Sequence, residues 1–189
     1  TIGMITFELN SLPPQGLIPL TWKDFDPLMR INTDSAALTV RSDAPYSTVR
    51  GFVDYAKSHP GELTVGNSAP GSIWHIAAGL LAGKTGIDIK YVPFDGAQPA
   101  VTALVGGHIK AVSVSVAEVR GQVQAGNLRL LGIMGAQRDK VFPDVPTLKE
   151  QGIDVEFSTW RGMGLPKGVS PAIKVKIADA YKKAYDSKE

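Results

Sequence analysis

Val65-Gly66-Asn67-Ser68-Ala69-Pro70-Gly71-Ser72, followed by Ile73-Trp74-His75-Ile76-Ala77-Ala78-Gly79-Leu80-Leu81, decides how this chain is read. Leu63-Thr64-Val65 is a short apolar run of strand type. The small and polar residues after it, among them Gly, Asn, Ser and Pro, turn the chain. Ser72 stands at an N-cap position. Ile73, Ile76, Ala77, Leu80 and Leu81 recur at helical spacing, and Gly83 is expected to stop the helix. A strand, a small-residue loop and a helix start form an anion site in outline. The first N–H groups of a helix lack internal partners, and the dipole places partial positive charge there. Ser68 and Ser72 add hydroxyls, and Gly66 and Gly71 are expected to let a ligand approach the backbone. An ordinary capped connection would show the same residues.

The rest of the chain supplies the setting. Strand-like runs lie at Ile2–Phe7, Ala36–Val40, Ile87–Pro93, Ile109–Val116, Leu128–Met134, Val155–Phe157 and Met163–Leu165. Helical patterns follow Ser47 or Thr48 (Val49, Phe52, Val53 and Ala56 on one face), Pro99, Glu118 and Ser170-Pro171. The last carries Ile173, Ile177, Ala180, Tyr181 and Ala184 on one face. Trp22–Leu28 reads as a turn, with Asp24 and Asp26 on the surface, and Thr147–Gln151 as a helical turn. Strands alternating with helices imply a mostly parallel α/β sheet. The polar stretches 41–46 and 158–161 are the expected crossings between a central domain and a second body made by the two ends.

With 189 residues, 43% hydrophobic and 20% charged, the chain is long enough for one large or two small domains. Its net charge of +2 is spread along the sequence, so no basic face with interleaved aromatics marks it for nucleic acid. No apolar run approaches the ~20 residues of a membrane span. The absence of Cys removes disulfides and thiolate chemistry. The chain opens on Thr1 with no initiator Met and no leader, and reads as an excerpt of a longer one.

Two motifs fall short of catalysis. Gly66-Asn67-Ser68-Ala69-Pro70 lacks the glycine that a nucleophile elbow carries two residues after its Ser. Gly83-Lys84-Thr85 lacks the first glycine of a phosphate loop, since Ala78 stands there, and it ends a helix instead of opening one. His59, His75 and His108 show no metal-ligand spacing. What remains are loops on the carboxyl ends of parallel strands, at 67–72, 94–98 and 113–117. Ligands of open α/β sheets bind at such ends.

Longer stretches resemble one family. They are Gly61–Ser72, Tyr91–Ala100, Leu104–Ile109, Ala125-Gly126-Asn127-Leu128-Arg129, Phe142–Thr147 and Trp160–Pro166. Their order and spacing resemble the solute-binding receptors of tripartite tricarboxylate transporters, the Bug receptor family. The resemblance implies a two-lobed α/β fold of the type II periplasmic binding proteins, with the second lobe complete and the first partial. The expected boundaries put 1–42 and 157–189 in the first lobe and 43–156 in the second. It further implies a periplasmic receptor, monomeric, without cofactor, metal or catalysis. Such a receptor captures a small carboxylate or amino-acid-like solute in the interlobe cleft and delivers it to membrane subunits. By the same resemblance the ligand residues are Asn67, Ser68, Gly71 and Ser72, then Phe94, Asp95, Gly96 and Ala97, with Ser115 from the next strand end and Thr6 and Phe7 from the first lobe. Asp95 stands where the family usually has a basic residue, which favours a solute bearing an amine or hydroxyl. A regulator's effector domain and a Ser68-dependent esterase are the rival readings.

Overall fold

Ala36-Ala37-Leu38-Thr39-Val40 are all buried, as a strand must be when helices cover both of its faces. The computed structural model describes residues 2–187; the outermost ends of the expected lobe segments, at residues 1, 188 and 189, lie outside them. The elements are β1 (Gly3–Thr6), α1 (Glu8–Ser11), β2 (Phe25–Arg41), α2 (Val49–Ser58), β3 (Thr64–Ser68), α3 (Ile73–Thr85), β4 (Lys90–Phe94), α4 (Ala97–Val105), β5 (Ala111–Ser115), α5 (Val116–Gln124), β6 (Leu128–Ile133), β7 (Ser158–Pro166) and α6 (Pro171–Asp186). They group into two units, Thr1–Thr33 with Thr159–Glu189, and Asp34–Ser158. The divisions fall between Thr33 and Asp34, inside β2, and between Ser158 and Thr159.

In the Asp34–Ser158 unit the strand order is β6-β2-β5-β3-β4. β3 is parallel to β4 and β5, whereas β2 is antiparallel to β5 and β6. The sheet is therefore mixed, one reversed strand among four that run together. Thr48 caps α2 by accepting from the Gly51 N–H at 3.0 Å. Val49, Phe52, Val53 and Ala56 then face inward as their spacing predicts. Gly83 does not end α3. The helix runs on to Gly86, whose φ of 66° is the left-handed conformation a helix terminus requires. Thr147–Gln151 forms a single turn, in which the Gln151 N–H donates to the Leu148 carbonyl at 3.0 Å and the Thr147 carbonyl at 3.3 Å. Val155–Phe157 is no strand, although the Phe157 carbonyl accepts from Ala36 and its N–H donates to Met134.

The other unit departs further from expectation. β1 is not a buried strand: Met4 is 61% exposed, and Ile5 is its buried residue. Trp22–Leu28 is not a turn throughout. A 3₁₀ turn at Trp22–Asp24, closed by a Thr21–Asp24 capping box, leads straight into β2. Ser158–Arg161, read from its polarity as a loose stretch, is the start of β7. β7 lies between β1 and β2, pairing antiparallel with β1. No residue of α6 is buried, and Ile173 on its apolar face is 52% exposed.

Asp26 is not a free surface carboxylate. It accepts from Lys174 at 2.6 Å and Lys167 at 3.1 Å. These bonds, Lys174 first, hold its carboxyl below the usual carboxylate range. A depressed native pKa adds stability above the unfolded pKa of about 3.9, and that contribution is lost as pH falls through the native value. Asp26→Asn is thus expected to lower the midpoint of urea unfolding at pH 7, the gap from wild type closing as pH drops below about 4. An equal gap at both ends of that range would contradict the assignment.

Candidate functional site

The parallel pairing of β3 with β4 and β5 brings three carboxyl ends to one edge of the sheet. The last rung of the β3–β4 ladder is Ser68↔Phe94. The loops 67–72 and 94–97 are therefore neighbours.

The helices that follow differ at their first turns. α2 has its Thr48 cap. α5 is closed by Glu118, whose Oε2 accepts from the Ser115 N–H and Oγ–H, both at 2.8 Å. α3 has Ser72 at the N-cap, yet the Ser72 side chain makes no cap bond. Its Oγ lies 2.6 Å from Ser68 Oγ. α4 begins after Gly96, which has no side chain to cap with and takes φ 101°. Two adjacent helix starts, each with roughly half a positive charge, are thus left without a side-chain acceptor.

Each expected ligand residue has a definite place. Asn67 is 1% exposed, and its Nδ2 donates to the Val65 carbonyl at 3.3 Å. Ser68 and Ser72 share their hydroxyl contact. Gly71 has φ 76°, and its N–H donates to His75 Nδ1 at 2.9 Å, so the protein itself uses that group. Phe94 ends β4, Asp95 and Gly96 are exposed, and Ala97 is buried at the start of α4. Ser115 is buried with its proton committed to Glu118. Thr6, the last residue of β1, and Phe7, the N-cap of α1, belong to the other unit.

Gly66 is not an approach point for a ligand. It sits within β3, where a Cβ would come within 2.4 Å of Ile109 Cδ1 and 3.2 Å of the Phe94 ring. Its missing side chain is space used by the core. Glu118 was legible in Ser115-Val116-Ala117-Glu118, a capping-box spacing. His75 carried no such signal. Its ring meets Tyr91 edge-on at 4.9 Å, and burial, then Asp88, raises the Tyr91 phenol pKa.

The family described as "Tripartite tricarboxylate transporter family receptor" matches residues 1–188. A Cupriavidus necator protein, the UPF0065 protein in gbd 5'region, is 37% identical over 98% of this chain and 57% of its own length. The crystal structure of a TctC solute-binding protein from Polaromonas is 43% identical with a TM-score of 0.88, covering 99% of this chain and 64% of that one. MatC from Rhodopseudomonas palustris, solved with bound malate, is 27% identical with a TM-score of 0.84, covering 100% and 65%. The chain therefore spans between about half and two thirds of the length of these relatives. Because that family matches residues 1–188, the chain belongs to the tripartite tricarboxylate transporter receptor family.

Proposed function

We propose that this chain is the greater part of a periplasmic receptor, acting as a monomer. It captures a small carboxylated solute and hands it to the membrane subunits of a tripartite transporter. The Asp34–Ser158 unit serves as the second lobe, and the other unit belongs to the first. The observation that carries the reading is the pair of open helix starts, α3 and α4, that follow the paired strand ends Ser68 and Phe94. A carboxylate seated there receives N–H donors from the α3 first turn and one hydroxyl donor from the Ser68–Ser72 pair, whose other proton lies between the two oxygens. Asn67 and the Phe94–Ala97 loop line the same place. Gly71 shapes the loop, while Ser115, whose N–H and hydroxyl both donate to Glu118, stays assigned on the resemblance alone. Thr6 and Phe7 stay assigned on the resemblance alone. The family membership and the malate held by the R. palustris relative support this chemistry. Asp95 beside the α4 start disfavours a second bare carboxylate and favours a hydroxyl or amine at that end of the solute. Ser68 faces Ser72 instead of a base, so it lacks what an esterase nucleophile needs.

A thermal-shift screen of the full-length protein against mono-, di- and tricarboxylates and amino acids tests the reading. One class is expected to raise Tm, because a ligand bound to the native state alone stabilises it by mass action. A flat response to every class overturns it. Ser72→Ala is expected to weaken the best solute by about 1.5–3 kcal/mol, the worth of a hydrogen bond to a charged group, or roughly ten- to a hundredfold in Kd. Unchanged affinity would remove Ser72 from the site.

A further inference from the structure

We infer that His75 is the positioning residue of the anion loop: its neutral ring fixes the turn before α3 without filling the helix start. The inference rests on the solute-binding reading above. With Ser72 as N-cap, His75 is the third residue of α3. A capping-box Glu reaches back from that same position to satisfy a backbone N–H. At α5 the box is complete: Glu118, third in its helix, accepts from Ser115 N–H. A carboxylate then stands at that helix start, and the place for an outside anion is taken.

At α3 the third residue also reaches back, one residue further, to the Gly71 N–H at 2.9 Å. The acceptor is an imidazole nitrogen. An N–H must meet a lone pair, so Nδ1 is bare and the ring proton sits on Nε2. The turn is held, yet no negative charge is brought to the dipole's positive end. Gly71 is kept at φ 76°, and the Ser72 N–H closes the turn on the Ala69 carbonyl at 3.0 Å. In this conformation the Ser72 hydroxyl points to Ser68 and leaves the α3 first turn uncapped. The other side of the ring rests edge-on against Tyr91. Tyr91 belongs to β4, the strand that carries the second open helix start. One side chain thus links the loop before α3 to the body of β4.

Three variants of the full-length protein separate this role from plain packing. His75→Asn places a carboxamide oxygen where Nδ1 stands and is expected to keep the Gly71 amide protected from hydrogen exchange and the malate Kd within about threefold of wild type. His75→Leu removes the acceptor; it is expected to expose the Gly71 amide and raise the malate Kd about tenfold. His75→Glu keeps an acceptor but adds charge. It is expected to leave apo Tm unchanged or higher while raising the malate Kd at least as much as Leu. Long-range ¹H–¹⁵N NMR of the wild type should show an unprotonated Nδ1. A protonated Nδ1, equal Gly71 exchange in wild type and His75→Leu, or wild-type malate affinity in His75→Glu would each overturn the inference. If the wild type ignores every carboxylate, the receptor reading fails, while the tautomer and the Gly71 exchange still decide the role of His75.

Discussion

Truncating Phe52 to alanine is expected to destabilise the Asp34–Ser158 unit by about 3–5 kcal/mol, the range for buried Phe→Ala changes. Phe52 is fully buried on the inner face of α2. The Tyr46 ring, itself buried, meets it edge-on at 5.2 Å. Alanine loses that ring contact and the transfer energy of the removed atoms, and it leaves a cavity that close-packed neighbours fill only partly. Domains are stable by roughly 5–15 kcal/mol in all, so this one change takes a large share. Urea unfolding followed by circular dichroism checks it: the midpoint should fall with little change in slope. A loss below about 1 kcal/mol would mean that the site collapses freely and that α2 is not the packed element its burial implies.

Gly162→Ala is expected to cost about 3 kcal/mol, the upper end for overpacking, in the other unit. Gly162 lies in β7, and a Cβ there would stand 2.7 Å from the Met29 carbonyl oxygen and 3.6 Å from Arg30 Cα, both on β2. These are backbone atoms. They cannot turn aside as the end of a long side chain can, so the strands must separate and weaken their ladder. Gly3→Ala on β1, where a Cβ would meet nothing within 4 Å, is the matched control. Comparing the two by thermal unfolding and by amide exchange along β7 isolates the clash. Equal behaviour of both variants would rule out a close β2–β7 contact at Gly162.

Local signals made much of the Asp34–Ser158 unit legible. Thr48 before Val49-Arg50-Gly51-Phe52 and the apolar runs of β3, β5 and β6 are short-range features, and the structure keeps them. What the sequence hid depends on pairing between distant segments. Phe25–Leu28 contains Asp26 and Pro27 and reads as a turn, yet it is strand because β2 pairs there with β7. Ser158–Arg161 is polar and becomes strand for the same reason. Gly83 and Gly86 are equally good helix stops on paper. Gly86 takes the left-handed conformation, and Gly83 stays in the helix.

The candidate site was legible as a loop, but the internal partners of its residues were not. Ser72 has the chemistry of an N-cap, but Ser68 four residues earlier captures its hydroxyl. Gly71 was expected to let a ligand approach the backbone, and its N–H donates to His75. Gly66 promised ligand access and instead makes room for Ile109 and Phe94. Ser115 offered a hydroxyl that Glu118 holds. In each case the residue type was readable, and the partner that decides its role was set by the folded arrangement.

The open first turn of α3 also bears on how this protein is handled. A helix start that seats a carboxylate, as proposed for the solute, would not distinguish it from the acetate, citrate or phosphate of a buffer. Those ions would then compete for the same N–H groups, and an apparent Kd would rise linearly with their concentration. A protein purified in citrate can reach a titration already loaded. Affinities taken in chloride-only or zwitterionic media, after exhaustive exchange, are the ones that report the receptor itself.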